Sequence, residues 1–234
     1  MPSATLRNHL LDRLSADDRK AILAASTPFE FELGHVFSEA GDAVAHVHFV
    51  LSGIVSAVAG MEDGRTVETF MIGREGVTTP AAIHVPVRTY SRLVGQSTGE
   101  TRRIDVGRLR AICDERPGLR TMIALYSSGL QGELEQSGAC NALHRSDQRF
   151  AKWLLRCHDR LDGDTLHLTQ EYLASLLGSQ RTTVNEAAQG LQKAGAISYS
   201  RGKVTILDRA ALERAACECY TAGLRDTLEI PKQL

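Results

Sequence analysis

Apolar positions along this chain change their period twice. Between Leu6 and Ala25, Leu10, Leu11, Leu14, Ile22 and Leu23 fall at helical spacing, and Ser15 ahead of Asp17 and Asp18 reads as a cap and an acidic first turn. Two short helices ending before Pro28 are expected. From Phe29 the period falls to two. Short alternating segments are separated by Gly34, Gly41-Asp42, Gly53, Asp63-Gly64 and Gly73, and turns roughly every ten residues predict an all-β roll or barrel. The helical period returns from Asp105 to Glu115, where Pro117 stops a short helix. Leu119, Met122, Ile123, Tyr126, Leu130, Leu134 and Ser137 then recur at three- and four-residue steps. They place a narrow apolar seam on a helix of about 25 residues, which cannot bury that stripe alone. Phe150, Trp153, Leu154 and Leu161 form the stripe of a further helix, with Asp162-Gly163-Asp164 as its turn.

The pattern from Leu168 to Leu207 reads as a helix-turn-helix followed by a hairpin. Thr169 caps a helix whose Leu173, Leu176 and Leu177 share one face, and Gly178 supplies the positive φ of a tight turn. Ser179 caps a second helix. Ala174 is small enough for the two helices to cross closely, and Val184, Ala187, Ala188 and Leu191 form the inner stripe. Arg181, Thr182, Asn185, Glu186 and Gln189 then face outward, as side chains presented to major-groove base edges must. Ile197–Tyr199 and Val204–Ile206 alternate like short strands around Arg201-Gly202-Lys203, a wing tip with two cations for phosphates. A surface helical hairpin without a ligand is the alternative, but cap, small residue, glycine, apolar plug and basic wing all fall in one register.

The bulk composition adds little to this. A chain of 234 residues with 43% hydrophobic content can form two small domains, each with its own core. The net charge is −1. The segment from Arg145 to Arg209 carries a slight basic excess and the residues before it a slight acidic one, which places any nucleic-acid contact in the C-terminal part. The first 25 residues are amphipathic and charged, and no apolar run approaches the ~18 residues of a membrane span. A cytoplasmic protein is expected. The five cysteines, Cys113, Cys140, Cys157, Cys217 and Cys219, are an odd and scattered set that suits a reducing compartment.

One stretch is more specific. LGHVFSEAGDAVAHVHFVLSGIVSAV is similar to the opening of the cyclic-nucleotide-binding β-roll, with its glycine after a first strand, its Gly-Asp turn and its aromatic-Val-Leu-Ser-Gly strand ending. With the winged helix, nearly the whole chain resembles the Crp/Fnr superfamily of bacterial transcription regulators. The resemblance implies an α+β fold: an N-terminal double-stranded, jelly-roll-like β-roll with its leading helices at 1–116, a long central dimerisation helix at 117–144, and a winged helix-turn-helix at 145–234. It also implies that Leu119, Met122, Ile123, Tyr126, Leu130 and Leu134 face a two-fold mate. The homodimer would bind a near-palindromic operator in double-stranded DNA, with half-sites about 34–36 Å apart, and RNA polymerase would be a further partner. Carried over residue by residue, Arg181 sits where an arginine contacts guanine, Thr182 where a glutamate reads cytosine, and Glu186 where a second arginine reads guanine; Asn185 completes the base-reading set. Thr169, Gln170, Ser179, Thr183, Arg201 and Lys203 would hold phosphates.

The effector site departs from the resemblance. Thr78-Thr79 stands where cyclic-nucleotide binders carry Gly-Glu, and Arg92-Leu93 where they carry Arg-Ser; Arg88-Thr89 is a second phosphate pair and Glu75 a second ribose acceptor under a shifted alignment. Without the carboxylate the ribose hydroxyl stays unpaired at a loss of about 1–3 kcal/mol, so tight binding of cyclic AMP is not expected and the effector is open. The sequence also offers two other chemistries. His46 and His48, with His35 and His84 near, suggest a cupin-like metal enzyme, but Val50 to Val58 contains no acid to complete the ligand set, and the histidines are placed on the outer face of their strand. Cys140 with His144, and Cys217 with Cys219, are partial metal spacings that would suit a redox or metal sensor. With no cysteine before Cys113, inert thiols are the preferred reading. No enzymatic activity, metal or cofactor is expected, and a protein-interaction module is the remaining rival.

Overall fold

The computed structural model describes residues 7–168, 173, 181–200 and 202–222. Two compact units account for them, one built from the residues up to Ala57 together with Met71–Gly132, the other from Val58–Phe70 and the residues from Glu133 onward.

The first unit opens with α1 (His9–Asp12) and α2 (Ala16–Ala25), capped by Asn8 and by Ser15, whose side chains accept from the Leu11 and Asp18 amides. Alternating segments then form β1 (Thr27–Phe31), β2 (Val36–Ser38), β3 (His46–Ser52), β4 (Val55–Gly60), β5 (Thr66–Ile72), β6 (Arg92–Gly95) and β7 (Gly99–Asp105), with the end of β4 and most of β5 assigned to the second unit. Two antiparallel sheets result, ordered β1-β7-β3 and β2-β6-β4-β5. Gly53 turns β3 into β4 at φ 77°, where a Cβ would lie 2.5 Å from the Thr98 carbonyl oxygen, so both backbone conformation and space demand glycine. α3 (Val106–Glu115), capped by Asp105, follows β7 directly. Pro117 then occupies the first position of α4 (Pro117–Leu143), where its missing N–H costs nothing.

The core of this unit joins Leu10, Leu11, Ile22, Val47, Phe49, Val77, Ile104 and Leu109 to Leu119, Met122, Ile123 and Tyr126 of α4. The seam of α4 therefore divides. Its first four residues lie inside the roll's own core, whereas Leu130 is half-buried and Leu134 is 38% exposed.

The second unit contains α5 (Ser146–His158), β8 (Thr165–His167), α6 (Arg181–Lys193), β9 (Ile197–Ser200), β10 (Lys203–Ile206) and α7 (Arg209–Ala215). α5 packs against α6 and α7, and the strands form one sheet ordered β8-β10-β9. Phe150, Leu154, Leu166, Leu173, Val184, Leu191, Val204 and Leu212 are buried. Among the described residues no helix is long and apolar enough to cross a membrane.

Candidate functional site

The outward face of α6 is the first candidate. Val184, Ala187, Ala188 and Leu191 are buried, as their spacing predicts. That burial fixes the rotation of the helix and turns Thr182, Glu186 and Gln189 into solvent, with Thr183 and Asn185 at the margins of the face. Arg181 opens the helix. Beside it, β9 and β10 pair antiparallel around Gly202, whose φ of 75° closes the turn, and Lys203 at the start of β10 is exposed. Thr169, Gln170, Ser179, Arg201 and the side chain of Arg181 lie outside the described residues.

The second candidate is a cavity of about 410 Å³ in the first unit, lined by Phe29, His35, Phe37, Asp42, His46, His48, Thr78, Thr79, Thr89, Leu93 and Arg103, among others. Three of the five effector residues suggested by the sequence, Thr78, Thr79 and Thr89, line it. Arg88 and Arg92 do not: Arg88 donates to the Gly41 carbonyl at 2.8 Å and Arg92 pairs with Glu39 at 3.4 Å. The lining cation is Arg103 on β7, its guanidinium 5.1 Å from the centre of the Phe29 ring. Thr79 holds φ 43°, a left-handed conformation unusual for a β-branched residue, at the entry of a 3-10 turn over Pro80–Ile83.

His48 is not on an outer face. It is buried, its Nδ1 lies 2.9 Å from the Thr101 hydroxyl, and its ring meets Phe37 and Phe29 edge-on. Burial, reinforced by His46, Arg103 and His35, lowers its pKa to about 3. A neutral imidazole in an aromatic cage lines this cavity.

Residues 148–215 match the family model described as a Crp-like helix-turn-helix domain. Solved structures agree over most of the chain. A c-di-GMP-responsive global regulator, CLP, from Xanthomonas campestris superposes with a TM-score of 0.66 at 19% identity, covering 83% of this chain and 100% of its own. A Crp-family regulator from Thermus thermophilus gives 0.68 at 19% identity, covering 80% and 96%, and a Crp/Fnr-family regulator from the same organism gives 0.66 at 21%, covering 81% and 98%. No curated protein matches the sequence. The chain has the Crp/Fnr fold, with a Crp-like helix-turn-helix at 148–215.

Within this Crp/Fnr fold, a third constellation brings together cysteines that are scattered in the sequence. Cys140 near the end of α4, His144 one turn later, and Cys217 and Cys219 beyond α7 converge, with their ligand atoms all within 4.8 Å of one another. Cys140 Sγ lies 3.6 Å from Cys217 Sγ, and Cys219 Sγ lies 3.5 Å from His144 Nδ1. Burial raises the Cys140 pKa, but the Lys152 ammonium 3.1 Å away and hydrogen bonds from His144 and Cys217 outweigh it and bring the thiol below its ordinary value. Cys217 is pushed up to about 12, by burial first and then by its bond to Cys140. The hydrogen bond to Cys140 raises His144. Cys113 in the roll is a plain buried thiol, pushed up to about 11 by burial. The i, i+4 spacing of Cys140 and His144 was the available sequence signal.

Proposed function

We propose that this protein is a sequence-specific, double-stranded-DNA-binding transcription regulator that acts as a homodimer on a near-palindromic operator. The observation that carries the reading is α6, whose buried stripe turns Thr182, Glu186 and Gln189 outward beside the exposed Lys203 of the wing. In this reading Arg181, Thr182, Asn185 and Glu186 read base edges, Arg181 taking guanine O6 and N7. Thr169, Gln170, Ser179, Thr183, Arg201 and Lys203 hold phosphates and set the register. Leu130 and Leu134, the part of the α4 seam outside the buried core, meet the two-fold mate, and RNA polymerase is the further partner. The β-roll acts as sensor through its cavity. With Thr78-Thr79 in place of a carboxylate, cyclic AMP binds weakly, and a different effector, anchored at Arg103, takes the cavity.

The decisive experiment selects bound duplexes from a random library with the ligand-free protein, followed by affinity against salt. Recovery of an inverted repeat with half-sites about one helical turn apart, bound with a steep salt slope, supports the regulator. Intact dimers that bind no duplex, either alone or with a cell metabolite extract added to supply the effector, refute it.

A further inference from the structure

We propose that Cys140, His144, Cys217 and Cys219 form a mononuclear, four-coordinate site for a zinc-class divalent ion. A tetrahedral ion with bonds of about 2.3 Å to sulfur and about 2.0–2.1 Å to nitrogen holds its donors roughly 3.5–3.8 Å apart. The 3.6 Å and 3.5 Å separations here fit that tetrahedron. A four-iron cluster would not fit, because each thiolate would bind its own iron at a different corner of a cube and the sulfurs would spread apart. A Cys140–Cys217 disulfide would use two of the four groups and leave the convergence of Cys219 and His144 without a purpose.

The surroundings are those of a metal site. All three cysteines are at most 5% exposed, which excludes competing water. His144 turns Nδ1 toward the thiols and places Nε2 3.1 Å from the Glu218 carboxylate. This carboxylate–histidine arrangement fixes the tautomer with the metal-facing nitrogen unprotonated. Lys152 Nζ lies 3.1 Å from Cys140 Sγ and Gln136 Nε2 3.0 Å from Cys219 Sγ, so N–H donors already meet two of the sulfurs. Three thiolates around a divalent ion carry one excess negative charge, and Lys152 neutralises it. Tyr220, next to Cys219, hydrogen-bonds Asp159 at 3.0 Å, which holds the second cysteine segment in place through protein contacts alone. Binding displaces the protons of the three thiols, so affinity rises with pH. The ion would tie the end of α4 to the segment after α7, with Lys152 of α5 between them.

The test is a Co²⁺ titration of the reduced, full-length protein without oxygen. One Co²⁺ per chain is expected, with thiolate-to-metal charge transfer in the near ultraviolet and the intense visible bands of tetrahedral cobalt, both abolished by Zn²⁺. Cys140→Ser and Cys217→Ser should each weaken binding and lower the charge-transfer intensity per bound cobalt, since two thiolates remain. His144→Gln, which opens no core, should weaken binding at least about tenfold and shift the visible bands, and Glu218→Gln should weaken it by about ten- to a hundred-fold. Folded, reduced protein that gives no tetrahedral spectrum overturns the proposal. Cobalt binding unchanged in both His144→Gln and Cys217→Ser also overturns it.

Discussion

Gly76→Ala tests the joint between the β-roll and the central helix. A Cβ at this position would lie 2.0 Å from the Tyr126 hydroxyl oxygen and 2.6 Å and 2.9 Å from two ring carbons, against an ordinary contact of 3.4–4 Å. Tyr126 must therefore retreat by on the order of 1 Å, and its neighbours Leu119, Met122 and Ile123 are at most 3% exposed, so no empty space receives it. Overpacking of this kind costs about 1–3 kcal/mol, a five- to 150-fold fall in the folding equilibrium. Urea unfolding followed by circular dichroism should register the loss. Trp153, the single tryptophan, lies in the other unit, hydrogen-bonded to Glu68 at 2.7 Å, and its fluorescence transition should move less. In a Tyr126→Leu background the added methyl enters vacated space, so Gly76→Ala should become nearly neutral, a coupling of about 1–3 kcal/mol. An unchanged cost in that background, or a cost below about 0.5 kcal/mol in the parent, would refute the packing argument.

Other expectations follow from single contacts. Arg181→Ala should cost about 1–3 kcal/mol on a cognate duplex and relax preference at one base pair, whereas Lys203→Ala should weaken all duplexes alike and lower the salt slope by about one per half-site; binding isotherms on cognate and scrambled DNA separate the two. Asn8→Ala strips both the α1 cap and the 2.8 Å bonds to the Val50 and Gly76 carbonyls, of which the Gly76 carbonyl keeps only the Val50 amide at 3.2 Å. A loss of about 2–4 kcal/mol in urea midpoint analysis is expected. His48 is neutral when folded and titrates near 6.5 when unfolded, so its contribution is complete above pH 6.5 and is lost as pH falls toward about 3. His48→Gln should flatten that acid limb by up to about 3 kcal/mol at pH 4, and an unchanged profile would show that other groups carry it.

Periodicity carried far where one element faces one core. The inner stripe of α6, the wing hairpin, the capped leading helices and the extent of α4 all follow from local spacing and local caps. It fails where the answer depends on which neighbour covers a face. Alternation places His46 and His48 on one side of β3 but does not say whether that side meets water or the aromatic rings of Phe29 and Phe37. The seam of α4 is one uninterrupted stripe in sequence, and only the packing of the leading helices, α3 and the strands of the roll determines that it is buried as far as Tyr126. β8 escapes notice because Thr165-Leu166-His167 offers a single apolar residue and takes its order from β10. Arg103, the cation of the cavity, sits on a strand that a motif search has no reason to inspect. The Cys/His convergence joins residues more than seventy positions apart, a distance at which spacing is silent.

The division of the α4 seam bears on how the protein can be dissected. A fragment ending at Arg116 would lose Leu119, Met122, Ile123 and Tyr126, each at most 6% exposed, and would leave apolar walls of the roll open to water. Such a truncation should be recovered as aggregates, while one that ends beyond Gly132, inside a continuous helix, keeps every one of these contacts. The cut that preserves the roll therefore runs through a helix and not through a loop.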